Sequence, residues 1–201
     1  MKRKQAFMRL HYGGKYTGDS VLPVRDIPEN AVKFKEPESM ESLGRHAAVI
    51  SAAILLPLLA ISLFFTNGVK PFFSIEALIG FALSIITAPV HEMLHAICFR
   101  EDVYLFTNIK QGMLFVVGTE SMSKGRFIFM SLLPNFVLGA VPYLIFIYDS
   151  SLIMPGAMGV MAIPMGAGDY LNVWNASVQM PKGAKTFISG MSSYWYNEGQ
   201  R

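Results

Sequence analysis

Charged residues are scarce in this chain. Only 15% of its 201 residues are Asp, Glu, Lys or Arg, whereas 52% are hydrophobic. A soluble globular domain carries about 25% charged residues, so the composition argues against an ordinary soluble enzyme and predicts a membrane protein. Cysteine is nearly absent too, since Cys98 stands alone. An intrachain disulfide is therefore excluded, and nothing in the sequence points to an oxidising compartment.

Long apolar segments dominate what is present. They cover roughly 47–66, 72–99, 126–148 and 152–178, and each is long enough for a helix across the hydrocarbon layer, which needs about 20 residues. Between the second and third segments, the β-prone runs Val103–Phe106 and Met113–Val117 suggest a hairpin. We therefore predict an all-α membrane protein with about four transmembrane helices and a short β-hairpin-like cytosolic loop between spans 2 and 3.

The basic residues predict an orientation. Nine Lys and Arg residues precede the first apolar segment, four lie between the second and third, and three lie in the tail, whereas Lys70 alone falls on the other side. Cytosolic loops carry such an excess, so we expect a multi-pass protein of the plasma membrane with both termini cytosolic. No apolar signal sequence follows the basic start, and the first apolar segment is expected to act as an uncleaved anchor.

Three parts follow from this pattern: a polar cytosolic arm with little regular core at 1–46, a four-span domain at 47–178, and a cytosolic tail at 179–201. The net charge of +3 does not indicate nucleic-acid binding, because the basic residues flank apolar segments. The expected partners are the lipid bilayer and a peptide or membrane-protein substrate. The sequence leaves the oligomeric state open.

One motif inside the second apolar segment carries chemistry. It reads His91-Glu92-Met93-Leu94-His95. Two histidines four residues apart lie on one helix face and can bind one zinc ion, while the glutamate between them can take a proton from water. Ionisable groups within an apolar span are costly and are candidates for function. We therefore expect His91 and His95 as metal ligands and Glu92 as the general base.

A catalytic zinc takes a third protein ligand, and the spacing limits the candidates. Glu76 lies about 22 Å along the helix from the histidines, and a straight helix cannot bring Cys98 to the same ion. Glu120 stays open as a ligand, although it lies in a Gly/Ser-rich loop. Asp169 is the best candidate because it is the acid within the fourth apolar segment.

The surroundings of Asp169 support this choice. Pro164, Gly166 and Gly168 are expected to break the helix just before it, and broken backbone at membrane depth is tolerated where it lines a cavity or holds an ion. Asn172 falls near the same face three residues later and could hydrogen-bond a ligand or the substrate backbone. Asn135 follows Pro134 in the third segment, where we expect a structural role at a helix kink.

These residues carry a resemblance to a known family. The chain resembles bacterial membrane proteins described as putative zincin peptidases, nearly from end to end. The likeness lies in the N-terminal arm, the histidine motif, span 3, span 4 and the tail, at Gly14-Lys15-Tyr16, Leu22-Pro23, 29–37, 91–95, Leu133-Pro134, 168–172 and 181–184. The active-site plan is more distantly similar to that of site-2 intramembrane metalloproteases, although Gly168 and Tyr170 around Asp169 depart from that pattern.

The resemblance implies zinc held by His91, His95 and Asp169, with Glu92 as general base. We therefore expect a membrane-embedded zinc metallopeptidase that hydrolyses a peptide bond in a membrane or membrane-adjacent substrate. The alternative is a non-catalytic metal-binding membrane protein or regulatory partner with a peptidase-like fold. The donor set of two histidines and a carboxylate favours zinc over magnesium or calcium.

Overall fold

A computed structural model describes residues 9–198, which fall into two compact units. The helical unit comprises residues 39–91 and 131–172, and the mixed unit comprises 9–38, 92–130 and 173–198. Four of the basic residues in the charge pattern, Lys2, Arg3, Lys4 and Arg201, lie outside the described residues.

The helices have these bounds: α1 Met40–Phe65, α2 Ile75–Ile86, α3 Ala88–Ala96, α4 Lys124–Pro134, α5 Val141–Tyr148, α6 Ile153–Met165 and α7 Ala167–Gln179. A π-helical stretch, Asn135–Ala140, joins α4 to α5. Serine side chains begin two of the helices, since Ser39 accepts a hydrogen bond from the Ser42 amide and Ser74 accepts one from the Ala77 amide. Such caps satisfy amide groups that have no partner inside the helix.

The predicted all-α fold with four spans is wrong. The structure is 57% helix but also 16% strand, arranged in two sheets of three and four strands. Among residues 9–198, two helices are long and apolar enough to cross a membrane, Met40–Phe65 and Lys124–Tyr148. A third span is possible if α2 and α3, which are bent by 41° at Thr87, count as one.

Helix-breaking residues explain the two missing spans. The predicted segment 72–99 breaks at Thr87, whose Oγ1 donates to the Leu83 carbonyl, because Pro89 has no amide hydrogen to continue the ladder. The predicted segment 152–178 breaks at Gly166 into α6 and α7, which have 13 residues each. A helix of that length spans about 20 Å, whereas the hydrocarbon layer is about 30 Å thick.

Close helix contacts build the helical unit, in which α6 packs against α1, α2 and α5. A Cβ on Gly80 of α2 would lie 2.2 Å from the Met154 carbonyl oxygen of α6, so the two backbones touch. Tyr143, Phe146 and Val160 form the buried core. In contrast, α1 exposes many large apolar side chains, such as Leu56 at 67% and Phe64 at 79%, which suits a helix surrounded by lipid.

The mixed unit contains both sheets. Its strands are β1 Leu10–Lys15, β2 Val32–Lys33, β3 Val103–Asn108, β4 Met113–Val117, β5 Met122–Ser123, β6 Lys185–Ser189 and β7 Ser192–Tyr196. In the first sheet, β3 lies between a parallel β1 and an antiparallel β4. The hairpin predicted from the two β-prone runs is therefore confirmed. The second sheet is antiparallel, in the order β2-β7-β6-β5.

The expectation of an arm with little regular core is wrong, because Leu22 and Phe34 are buried and β1 and β2 belong to these sheets. Pairing of β2 with β7 joins the arm to the tail, and pairing of β1 with β3 joins it to the central loop. These pairs are distant in the sequence, so no local pattern predicts them. The cytosolic placement of the arm and the tail stays a prediction.

Candidate metal centre

Helix α3 brings three polar side chains together. His91, Glu92 and His95 each offer a ligand atom, and these atoms all lie within 4.8 Å of one another. The arrangement follows from the helix itself, since residues at i and i+4 share a face. The convergence expected from the motif is therefore present, and the donor set of imidazole and carboxylate suits zinc. The role of each residue stays a prediction.

A hydrogen bond orients the His95 ring within the mixed unit. Its Nδ1 lies 3.0 Å from the Met130 carbonyl oxygen. A carbonyl can only accept, so Nδ1 is the donor, and in the neutral form of the ring Nε2 is then the atom with the lone pair. Metal-binding histidines are commonly held in this way by a second group behind the ring. The contact suits the predicted role of His95 Nε2 as a ligand atom.

In the helical unit, His91 lies beside Asp169. The distance from His91 Nε2 to Asp169 Oδ2 is 3.2 Å, and the two side chains are 22% and 14% exposed. Two ligands of a tetrahedral zinc, each about 2.0–2.1 Å from the ion, are themselves about 3.3 Å apart. The observed separation is that of a hydrogen bond or ion pair, and it is also close to the spacing of two atoms that share one metal ion.

The position of Asp169 follows from the break in the fourth apolar segment. Helix α6 ends at Met165, and α7 begins at Ala167, which places Asp169 in the first turn of α7. A carboxylate is favourable there, because the amide groups of a first turn carry partial positive charge. The expected break before Asp169 is confirmed. Asn172 lies half-buried three residues later on α7, and its supporting role stays a prediction.

The sequence did not identify Asn135 as part of this site. Its side chain is only 5% exposed, and Nδ2 donates to Asp169 Oδ2 at 2.7 Å and to the Ser131 carbonyl at 3.3 Å. The second bond is the structural role expected at a kink, and the first comes in addition. The sequence did contain one signal for this contact. An amide side chain in an apolar segment is costly unless it is hydrogen-bonded, so Asn135 needed a partner.

The carboxylate of Glu92 is held by the first sheet of the mixed unit. Its Oε2 accepts a hydrogen bond of 2.9 Å from the Val116 amide of β4. Along an antiparallel strand, the backbone amides alternate between facing the paired strand and pointing away from it. The Val116 amide points away, so it lies at the edge of β4 opposite β3. The candidate base therefore lies at the edge of β4 that pairs with no other strand among residues 9–198.

Glu120, the other candidate third ligand, is engaged elsewhere. Its Oε1 accepts from Arg126 Nη1, and its Oε2 accepts from the amides of Arg100 and Glu101. Burial alone would raise the pKa of Glu120, but these hydrogen bonds and the guanidinium charge outweigh it and hold the pKa below its usual value. Arg126 also donates to the Cys98 carbonyl just after α3. Glu120 is therefore better explained as an anchor for the end of α3.

A comparison with protein families covers this same region. A family model described as "putative zincin peptidase" matches residues 84–185, just over half of the chain. The chain belongs to this family. No curated protein and no solved structure matches it.

Membership of the putative zincin peptidase family agrees with the geometry of the site. The matched residues include all of α3 and extend through Asp169 into α7. The name zincin implies zinc, and the His91, Glu92 and His95 cluster offers a fitting donor set. The two long apolar helices indicate a membrane association for this zincin-family chain.

Proposed function

We propose that this zincin-family chain is a membrane-embedded zinc metallopeptidase. The single observation that carries the proposal is the convergence of His91, Glu92 and His95 on one face of α3, with Asp169 Oδ2 3.2 Å from His91 Nε2. His91, His95 and Asp169 would hold the ion. Bound zinc would polarise the scissile carbonyl and lower the pKa of water towards 7.

Glu92 serves as general base in this proposal. Its carboxylate takes a proton from the attacking water and delivers it to the leaving amine. The Val116 amide supports this role, because a hydrogen bond from a fixed strand limits rotation of the carboxylate. His95 is oriented by the Met130 carbonyl in the same way. The base and one ligand are thus held by backbone groups of the mixed unit.

The edge of β4 suggests how a substrate binds. Among the described residues, β4 pairs with β3 on one side only, and the amide on its other side reaches Glu92. An extended peptide can add to such an edge through main-chain hydrogen bonds. The proposed substrate is therefore a transmembrane or membrane-adjacent segment that unwinds into an extended strand beside Glu92.

The orientation of the chain also belongs to this proposal. The arm, the central loop and the tail all contribute strands to the mixed unit, and we propose that these three segments share one side of the membrane. The sequence places 16 of the 17 Lys and Arg residues on that side and leaves Lys70 on the other. By the positive-inside rule we propose that this side is the cytosol and that both termini lie there.

Metal content tests the proposal directly. Full-length protein purified in detergent from zinc-supplied cells should carry about one zinc per chain by elemental mass spectrometry, the stoichiometry of a single site. His95→Ala and Asp169→Ala should lose the metal, and Glu92→Gln should keep it. Zinc retained in Asp169→Ala would move the third ligand elsewhere. Absence of metal from the wild type would overturn the proposal.

Proteolysis requires a separate measurement in the cell. Membranes from cells that express the wild type should contain new peptide N-termini, detected by mass spectrometry, that are missing from cells that express Glu92→Gln. The variant is a matched control because it keeps the ligands and the size of the side chain while it removes the base. Identical sets of N-termini, with zinc bound in both proteins, would favour a non-catalytic metal-binding protein.

A further inference from the structure

Asn135 combines three unusual features in the helical unit. It stands at the point where α4 passes into the π-helical stretch, a local distortion often found at functional sites. Its side chain is 95% buried, since 5% remains exposed. Its Oδ1 has no hydrogen-bond partner among the described residues, although buried polar atoms are nearly always bonded.

The two bonds of Nδ2 identify what this side chain does. Both partners, Asp169 Oδ2 and the Ser131 carbonyl, are acceptors, and only the NH2 end of an amide can donate to two acceptors at once. The orientation of the amide is therefore set by chemistry. Asn135 directs its donor at the same carboxylate oxygen that lies 3.2 Å from His91.

Gly166 leaves room for the Asn135 side chain. A Cβ at Gly166 would lie 1.7 Å from Asn135 Oδ1 and 2.3 Å from its Cγ, far closer than two such atoms can approach. The φ angle of Gly166 is −77°, so its backbone does not require glycine. The close approach of Asn135 does. Gly166, directly after α6, thus leaves space for the Asn135 amide, whose Nδ2 donates to Asp169.

We infer that Asn135 is a positioning residue that holds the Asp169 carboxylate in the orientation of a metal ligand, an inference that rests on the proposed function. A neutral amide suits this task, because it donates to the carboxylate without adding a charge that would compete with the metal. A cation at the same place would repel the ion, and a second acid would repel Asp169. Groups that orient a ligand commonly contribute about 10- to 100-fold to metal affinity.

The test measures metal binding to full-length protein in detergent. Zinc affinity is obtained by competition with a chromophoric chelator, and Co²⁺ is substituted to record the visible absorption of the site. Asn135→Ser keeps a small polar group near Ser131 but cannot reach Asp169. We expect about 10- to 100-fold weaker zinc binding and an altered Co²⁺ spectrum, which a loss of stability alone would not cause.

A pair of glycine variants provides an independent comparison. Gly166→Ala displaces the amide and should weaken zinc binding as Asn135→Ser does. Gly168→Ala is its matched control, because a Cβ there meets nothing within 4 Å, and it should bind like the wild type. Thermal unfolding of the metal-free proteins shows whether each variant folds, and if one of them fails to fold, the other decides.

The outcomes separate this inference from the proposed function. Wild-type affinity and spectrum in the folded variants would overturn the role of Asn135 while the zinc site stands. A wild type that binds neither zinc nor Co²⁺ would overturn the proposed function and this inference with it. Weak binding in Gly168→Ala as well would also overturn it, because that change does not touch Asn135.

Discussion

The helical unit and the mixed unit satisfy their buried polar groups in different ways. In the helical unit, neutral side chains bond to helix carbonyls, as Ser62 and Tyr143 both do to Leu58. In the mixed unit, a charged pair, Arg126 and Glu120, ties the end of α3 to its surroundings. The difference fits two solvents, because lipid penalises charge far more than an aqueous boundary does.

One group of residues departs from this division. Asp169 and His91 are ionisable and lie in the helical unit, where they are 14% and 22% exposed. They are bonded to each other and, through Asp169, to Asn135. An ionisable pair kept in otherwise apolar surroundings needs a reason beyond packing, and metal binding supplies one. The contrast between the units therefore marks the site independently of the sequence motif.

The largest expected effect concerns the side of the membrane on which an exposed lysine of each unit lies. In a Cys98→Ser background, single cysteines replace two exposed lysines, Lys70 in the helical unit and Lys182 in the mixed unit. A membrane-impermeant maleimide should label Lys70→Cys in intact cells and Lys182→Cys only after lysis. Labelling of Lys182→Cys but not of Lys70→Cys in intact cells would show the opposite orientation. Equal labelling of both would place the two lysines on the same side of the membrane and contradict the proposed orientation.

The second expected effect concerns the charged pair of the mixed unit. Arg126→Met leaves Glu120, which is 6% exposed, without its cation, and should cost about 3–5 kcal/mol in the free energy of unfolding. Because the pKa of Glu120 is lowered in the folded protein, its stabilisation is present above the usual carboxyl pKa and is lost as the pH falls. The free energy of unfolding of Arg126→Met should therefore decrease less on acidification than that of the wild type.

Denaturant unfolding of the full chain in detergent, followed by tryptophan fluorescence, measures this effect. Lys185→Met is the control, because the pair of Lys185 with Glu198 is 35% and 59% exposed. Exposed pairs contribute about 0–1 kcal/mol. Equal losses of unfolding free energy in Arg126→Met and Lys185→Met would show that the burial of Glu120 does not make its ion pair more stabilising than an exposed one.

The smallest expected effect concerns helix contacts in the helical unit. Gly80→Ala places a Cβ 2.2 Å from the Met154 carbonyl oxygen, so α2 and α6 must separate, at a cost of about 1–3 kcal/mol. Gly44→Ala in α1 meets nothing within 4 Å and should instead stabilise the helix by about 0.5–1 kcal/mol. The same unfolding measurement compares them, and a stabilising Gly80→Ala would contradict the close packing.

Several features could be predicted from the sequence because they depend on neighbours along the chain. The shared face of His91 and His95 follows from the helix period, the β3–β4 hairpin from two β-prone runs, and the break before Asp169 from Pro164 and Gly166. The count of spans failed for a related reason. The continuous apolar composition of 72–99 concealed the break at Thr87, and the break expected before Asp169 leaves two helices of 13 residues each where one span was predicted.

Other features depend on contacts between distant residues. Glu120 and Asp169 were both plausible ligands in the sequence, and the structure separates them because Arg126 and two backbone amides engage Glu120. Asn135 lies 34 residues from Asp169, so no spacing rule connects them. The pairing of β2 with β7 across the length of the chain is equally inaccessible to local patterns.

The sequence by itself determined the chemistry available to this protein: two imidazoles and a carboxylate on one helical face, set in a chain with little other charge. Helix periodicity is a local property, so five consecutive residues were enough. Only the tertiary structure decided which acid lies beside His91, which amide holds that acid, and which backbone group holds Glu92. The reason is physical, because those contacts join segments whose distance in space is set by packing rather than by separation along the chain.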